Sequence, residues 1–205
     1  MSPLSGTPHV PSESNMGSSK HPREDHETTY HALLHQIAQG SEAALTEFYR
    51  AFESRIYAFV IIRLNDSHEA ADLLNEIMWE VWRSANKFEG RSRVTTWVFG
   101  IAHHKVIDRI RSKGKHQMEP LESTVDQESD CNLDDILGQK QLERHIQHCM
   151  EKLSPDHRQT VQLAFFEDLS YREIGEIAES PEGTIKARMF HAKQALKRCL
   201  ARVIR

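Results

Sequence analysis

Apolar residues recur at steps of three and four along most of the chain, the period of amphipathic helices rather than strands. Leu33, Leu34 and Ile37 share one face of a run that starts near Thr29, and Gly40-Ser41 ends it. Ser41 is placed to cap a second helix carrying Ala44, Leu45, Phe48, Tyr49 and Phe52, continuing through Ile56, Phe59, Val60 and Leu64. Asn65-Asp66-Ser67 is a stop and restart, with Asp66 and Glu69 spaced as a capping box. The next helix turns Leu73, Leu74, Ile77, Val81 and Trp82 inward and leaves Asp72, Asn75, Glu76 and Glu80 largely on its other side. A loop around Gly90 follows. Thr95 or Thr96 is expected to open a further helix, striped by Trp97, Val98, Ile101, Ala102, Val106, Ile107 and Ile110.

The pattern then stops. Seven acids (Glu119, Glu122, Asp126, Glu128, Asp130, Asp134 and Asp135) and no Lys or Arg occupy residues 119–135. That composition predicts a solvated, extended linker. Helical periodicity resumes near Leu137, breaks at Leu153-Ser154-Pro155, and restarts twice more. Residues 1–28 have almost no large apolar side chains and are expected to stay disordered, because they cannot bury enough surface to repay ordering. The expected architecture is all-α: two small helical domains, 29–115 and 137–205, joined by a flexible acidic linker over 116–136, with a helix–turn–helix in the second.

Composition narrows the function. The 205 residues are 39% hydrophobic and 27% charged, with a net charge of −4, as in globular proteins. No apolar run approaches the roughly 18 residues of a membrane span, and no secretory signal opens the chain, so a cytoplasmic protein without membrane insertion is expected. Phosphate-binding Gly-rich loops, HExxH and GxSxG are missing, which argues against an enzyme. No cofactor is expected. Cys131, Cys149 and Cys199 form no CxxC pair, so a disulfide framework is not expected. His145, His148 and Cys149 share a helix face but lack a fourth ligand, and a metal site is not expected.

Charge is concentrated at the end. From Glu182 onward there are seven cations, Lys186, Arg188, Lys193, Lys197, Arg198, Arg202 and Arg205, against Glu182 alone. Before them, Ser170-x-x-Glu173 fits a capping box, and Ser180-Pro181 reads as a second capped start. Ile174, Ile177, Ile185 and Met189 point inward, leaving Thr184, Lys186, Arg188 and His191 outward. A helix–turn–helix places the start of its second helix in the major groove. Arg188 suits guanine O6 and N7, Lys186 a phosphate, and Thr184 a phosphate at a helix N-terminus. The competing explanation is a solvated basic face.

Two blocks carry a family resemblance. The first runs from Ala71-Asp72-Leu73-Leu74-Asn75-Glu76 through Val81-Trp82-Arg83, then Phe88-Glu89-Gly90-Arg91-Ser92 and Thr95-Thr96-Trp97-Val98-Phe99-Gly100. It resembles the second conserved region of bacterial sigma factors of the sigma-70 family. The second, with Leu153-Ser154-Pro155, Leu169-Ser170-Tyr171-Arg172-Glu173-Ile174 and Gly183-Thr184-Ile185-Lys186-Ala187-Arg188, resembles their fourth region. The short segment between them is similar to the extracytoplasmic-function (ECF) type. The resemblance implies that Asp72, Asn75 and Glu76 dock on the clamp coiled coil of core RNA polymerase. It implies that Asn86, Phe88, Arg91 and Arg93, with Lys105 and Arg109 on the following helix, hold the melted minus-ten element of promoter DNA. The fourth-region unit would then read the minus-thirty-five element, and an anti-sigma factor would be a partner. The alternative is a stand-alone helix–turn–helix regulator, which leaves the Asp72 helix and the aromatic loop unexplained.

Overall fold

A computed structural model describes residues 22–116 and 137–203; residues 1–21 and 204–205, and all but the first residue of the linker expected at 116–136, lie outside the described residues. Eight α-helices follow in order. The first bundle holds α1 (Pro22–Ala38), α2 (Glu42–Leu64), α3 (Ser67–Ser84) and α4 (Val94–His116), with one 3-10 turn at Ala85–Lys87 before the loop to α4. The second holds α5 (Leu137–Glu151), α6 (Pro155–Phe165), α7 (Tyr171–Ile177) and α8 (Glu182–Val203).

The helix starts follow local chemistry. Ser41 accepts a hydrogen bond from the Ala44 N–H, Asp66 from Glu69 and Ser154 from His157. The Ser170–Glu173 capping box is complete in both directions. Two starts differ from the sequence reading. Neither Thr95 nor Thr96 caps α4; the Glu27 carboxylate, reaching across from α1, accepts from the Val94 N–H at 2.9 Å and the Thr95 N–H at 3.3 Å. The Ser180 hydroxyl donates back to the Ala178 carbonyl, and the Pro181 carbonyl accepts the first bonds of α8 from Thr184 and Ile185. The helix α1 also begins at Pro22, inside the stretch expected to be disordered. Proline suits a first helical position, and Glu27 gains a partner only in the folded bundle.

Phe48, Phe52, Ile56, Phe59, Leu73, Ile77, Val98 and Phe99 pack at the centre of the first bundle, each almost fully buried. Leu163, Leu169, Ile174, Ile177 and Ile185 of the second bundle belong to the same continuous apolar cluster. The two bundles therefore pack on one another, α7 against α4 and α6 against α2. A smaller cluster of Leu153, Val161, Met189 and Ala192 holds α8 to α6.

The cysteines correct the sequence reading. Cys149 of α5 and Cys199 of α8 form a disulfide, with Cα atoms 5.7 Å apart across 50 residues of sequence. Packing of α5 along α8 brings them together, which their spacing in the chain does not reveal. The bond commits Cys149, so the His145, His148 and Cys149 face is not a ligand set.

Candidate nucleic-acid and polymerase interface

The amphipathic register of α3 decides which of its polar residues are available. Its apolar stripe is buried, and Asp72, Asn75 and Glu76 all remain exposed on the opposite side. Asn75 accepts a long hydrogen bond from the Tyr49 hydroxyl at 3.4 Å, and Glu76 pairs with Arg109 of α4 at 2.5 Å. Lys113 of α4 pairs with Glu69 in the same way. Trp79 continues the exposed stripe one turn further and is 65% exposed.

The loop after α3 and the start of α4 line an open cleft of about 900 Å³, with Arg91, Arg93 and His31 on one side and Arg172 and Glu173 of α7 on the other. Gly90 takes a left-handed conformation, φ 71°, that turns the chain into α4. Asn86 is exposed. Phe88 packs its ring between Trp97, 5.3 Å away, and His31, 5.4 Å away, so it is half-buried in the bundle wall. Arg91 pairs with its neighbour Glu89. Arg93 donates from Nε and Nη2 to the two Glu173 oxygens at 2.5 and 2.8 Å. Lys105 and Arg109 are half-buried along α4.

In the second bundle α7, a tight turn and α8 form the helix–turn–helix. A side chain at Gly175 would meet the Ser180 carbonyl at 2.7 Å, so the two helices approach this closely only with glycine there. Thr184, Lys186 and His191 are exposed along α8, and Lys186 pairs with Glu182 one turn earlier. Arg188 is half-buried and lies 3.5 Å from Asp156 at the start of α6, rather than fully outward.

Hydrogen bonding to Glu179 raises the pKa of His104. Burial, followed by the nearby Arg63 charge, lowers that of His103. The two adjacent rings thus differ in charge preference because one faces the second bundle's acid and the other the core.

A family profile described as Sigma-70 region 2 matches residues 48–116, and one described as Sigma-70 region 4 matches residues 143–196. A curated relative, the ECF RNA polymerase sigma factor SigK of Mycobacterium tuberculosis, is 32% identical over 174 residues, covering 82% of this chain and 92% of its own length. The chain belongs to the ECF sigma factors. The SigK of Mycolicibacterium vanbaalenii is 28% identical over 173 residues and covers the same 82% of this chain. Among solved structures, CnrH in complex with the cytosolic domain of CnrY has a TM-score of 0.59 at 16% identity, covering 84% of this chain and 97% of that one. The sigma factor RpoE of Bartonella quintana, in complex with the anti-sigma factor NepR, has a TM-score of 0.58 at 22% identity, covering 76% and 97%. Both share the fold. The region 2 match falls within the first bundle and the region 4 match within the second, and region 2 and region 4 hereafter denote the two bundles.

The chain is an initiation factor for RNA polymerase, in line with the family. Among the described residues no helix is long and apolar enough to cross a membrane. Three features of the interface escaped the sequence reading. Trp79 could have been found from its register, one turn beyond Asn75 and Glu76. The Glu27 cap and the partners of Arg93 and Arg188 could not, because they join residues distant in sequence.

Proposed function

We propose that this sigma factor grips the transcription machinery in three places. The exposed face of α3, with Asp72, Asn75 and Glu76, docks on the clamp coiled coil of core polymerase, where carboxylates meet basic side chains of a partner helix. The loop 86–93 and the cationic side of α4, with Asn86, Phe88, Arg91, Arg93, Lys105 and Arg109, hold the opened minus-ten element through backbone charge and base stacking. The start of α8, with Thr184, Lys186, Arg188 and His191, enters the major groove at the minus-thirty-five element. No bond is made or broken. Strand opening follows from tighter binding to the unpaired state, because a ligand shifts an equilibrium only by its differential affinity. An anti-sigma factor, as in the RpoE–NepR complex, is the expected antagonist.

The observation that carries this reading is the outward, unburied face of α3. Asp72, Asn75 and Glu76 all stay exposed on this face, Asn75 and Glu76 making only side-chain contacts to Tyr49 and Arg109 at its edge, and such a face suits a partner. The test is reconstitution with core polymerase, mapping the promoters at which transcription starts. Asp72→Ala is expected to weaken polymerase association while sparing upstream-element recognition. Arg188→Ala is expected to cost about 1–3 kcal/mol at the upstream element and spare polymerase association. Equal loss of both functions in both variants overturns the division of labour.

A further inference from the structure

We propose that the free sigma factor holds itself closed through acids of region 4 set on basic side chains of region 2, one of which, Arg93, is a residue by which region 2 would hold the backbone of single-stranded DNA. The inference rests on the strand-holding role proposed above for Arg93 and its neighbours.

Among the described residues, three ion pairs and one histidine–carboxylate contact cross between the bundles, and all run in the same direction. Arg55 of α2 donates to Glu167 at 2.8 and 2.5 Å, and the Glu167 side chain is only 3% exposed. Arg63 of α2 meets Asp156 at 2.6 Å and donates to the Gln159 side chain at 2.7 Å. Arg93 is bidentate on Glu173, which also accepts from the Thr96 hydroxyl at 3.2 Å. His104 lies 2.8 Å from Glu179 on the turn after α7. Every basic side chain, His104 included when protonated, belongs to region 2 and every acid to region 4. Bidentate pairing of a guanidinium with a carboxylate uses the same donor fork that a phosphate would take. Arg93 therefore cannot serve Glu173 and a DNA strand together. The shared apolar cluster under these pairs makes closure a packed interface rather than a loose encounter.

Geometry makes the two states exclusive. Elements centred near positions minus ten and minus thirty-five lie about 25 base pairs apart, roughly 85 Å along duplex DNA. A compact chain of 205 residues has a radius of gyration of about 17 Å and is roughly 40 Å across. Region 4 must leave region 2 for both to be read. The 20 residues between His116 and Leu137 reach about 70 Å when extended, enough with the bundles' own widths to span the elements.

The test uses the full chain, X-ray scattering for its size, and a fluorescein-labelled oligo(dT) of about 20 nucleotides as the single-strand probe. Wild type is expected to scatter as a compact particle and to bind weakly. The double variant Glu167→Gln/Glu179→Gln is expected to expand and to bind about tenfold more tightly, the gain that follows when an open fraction rises from about 5% to about 50%. Adding Arg93→Ala is expected to erase that gain. Glu176→Gln, the loss of one charge on a residue that pairs with Arg172 of its own helix rather than across the bundles, is expected to alter neither reading. If Glu167→Gln does not fold, Glu179→Gln alone is held to both criteria. An already extended wild type, expansion without tighter binding, or an equal gain in Glu176→Gln overturns the proposal. If the opened variant gains affinity through Arg93 while wild type with core polymerase starts no transcription, closure stands and the promoter reading falls.

Discussion

Glu173 is bonded on two sides at once, to the Ser170 cap of its own helix and to Arg93 of the other bundle. Burial pushes its carboxyl upward, but hydrogen bonds from Arg93 and Ser170 outweigh this and hold it at about 2, against an ordinary 4.5. A carboxyl depressed in this way stabilises the fold fully above its unfolded value. That contribution fades as pH falls from about 4.5 through about 2. At neutral pH it is on the order of 3 kcal/mol, shared between the cap and the cross-bundle pair. Glu173→Gln should therefore melt lower than wild type at pH 7, with the gap closing as pH approaches 2 in thermal scans. His104 follows the opposite rule. Its raised pKa makes the Glu179 contact complete below the usual histidine range and progressively lost as pH rises through the raised value. Only half of the Glu173 chemistry was legible in sequence: Ser170-x-x-Glu173 is a local pattern, whereas Arg93 lies 80 residues away.

At the scale of elements, α3 shows what periodicity can and cannot reveal. Its buried stripe and exposed acids are a direct consequence of the 3.6-residue repeat, so the exposure of Asp72, Asn75 and Glu76 was readable in the sequence, whereas their docking role was implied by the family resemblance alone. Trp79 adds an aromatic one turn beyond Asn75 on that outward face, the residue type most enriched among energetic anchors of interfaces. Trp79→Ala should leave the thermal melt nearly unchanged and weaken binding to core polymerase about thirtyfold, a hot-spot loss of about 2 kcal/mol; titration against purified core measures it. The pairing of α5 with α8 was not readable in the same way. Periodicity says which face of each helix is apolar but not which helices face each other, and so Cys149 and Cys199 looked unrelated. Their bond closes a 50-residue separation, and chain-entropy arguments assign it about 4 kcal/mol. Cys149→Ser/Cys199→Ser should lower the denaturant midpoint of region 4 accordingly, and reduction of the wild type should reproduce the shift.

Seen as a whole molecule, the order of the two regions and the acidic stretch between them were plain from sequence, since each is a contiguous pattern. How the two regions meet was not. Arg55 and Glu167 are 112 residues apart, and Arg63 and Gln159 are 96 apart; neither pair leaves a local trace. The same holds for Arg188, whose outward position on a simple helical wheel gives way to Asp156, a residue also held by Arg63. One acid thus links α8 of region 4 to α2 of region 2. Ion pairs at an interface open to solvent weaken with salt. Raising ionic strength should expand the free protein in scattering measurements before any loss of helical circular dichroism.

The Glu27 carboxylate has a practical consequence for anyone trimming this protein. A boundary drawn at Thr29, where the hydrophobic rhythm begins, removes the acceptor of the first amide groups of α4. A chain cut to start there should lose about 1–2 kcal/mol, as when a helix cap is deleted, whereas one starting at Pro22 should melt like the full protein. What reads as a dispensable leader is a foundation stone of the very rod against which an unwound promoter would lie.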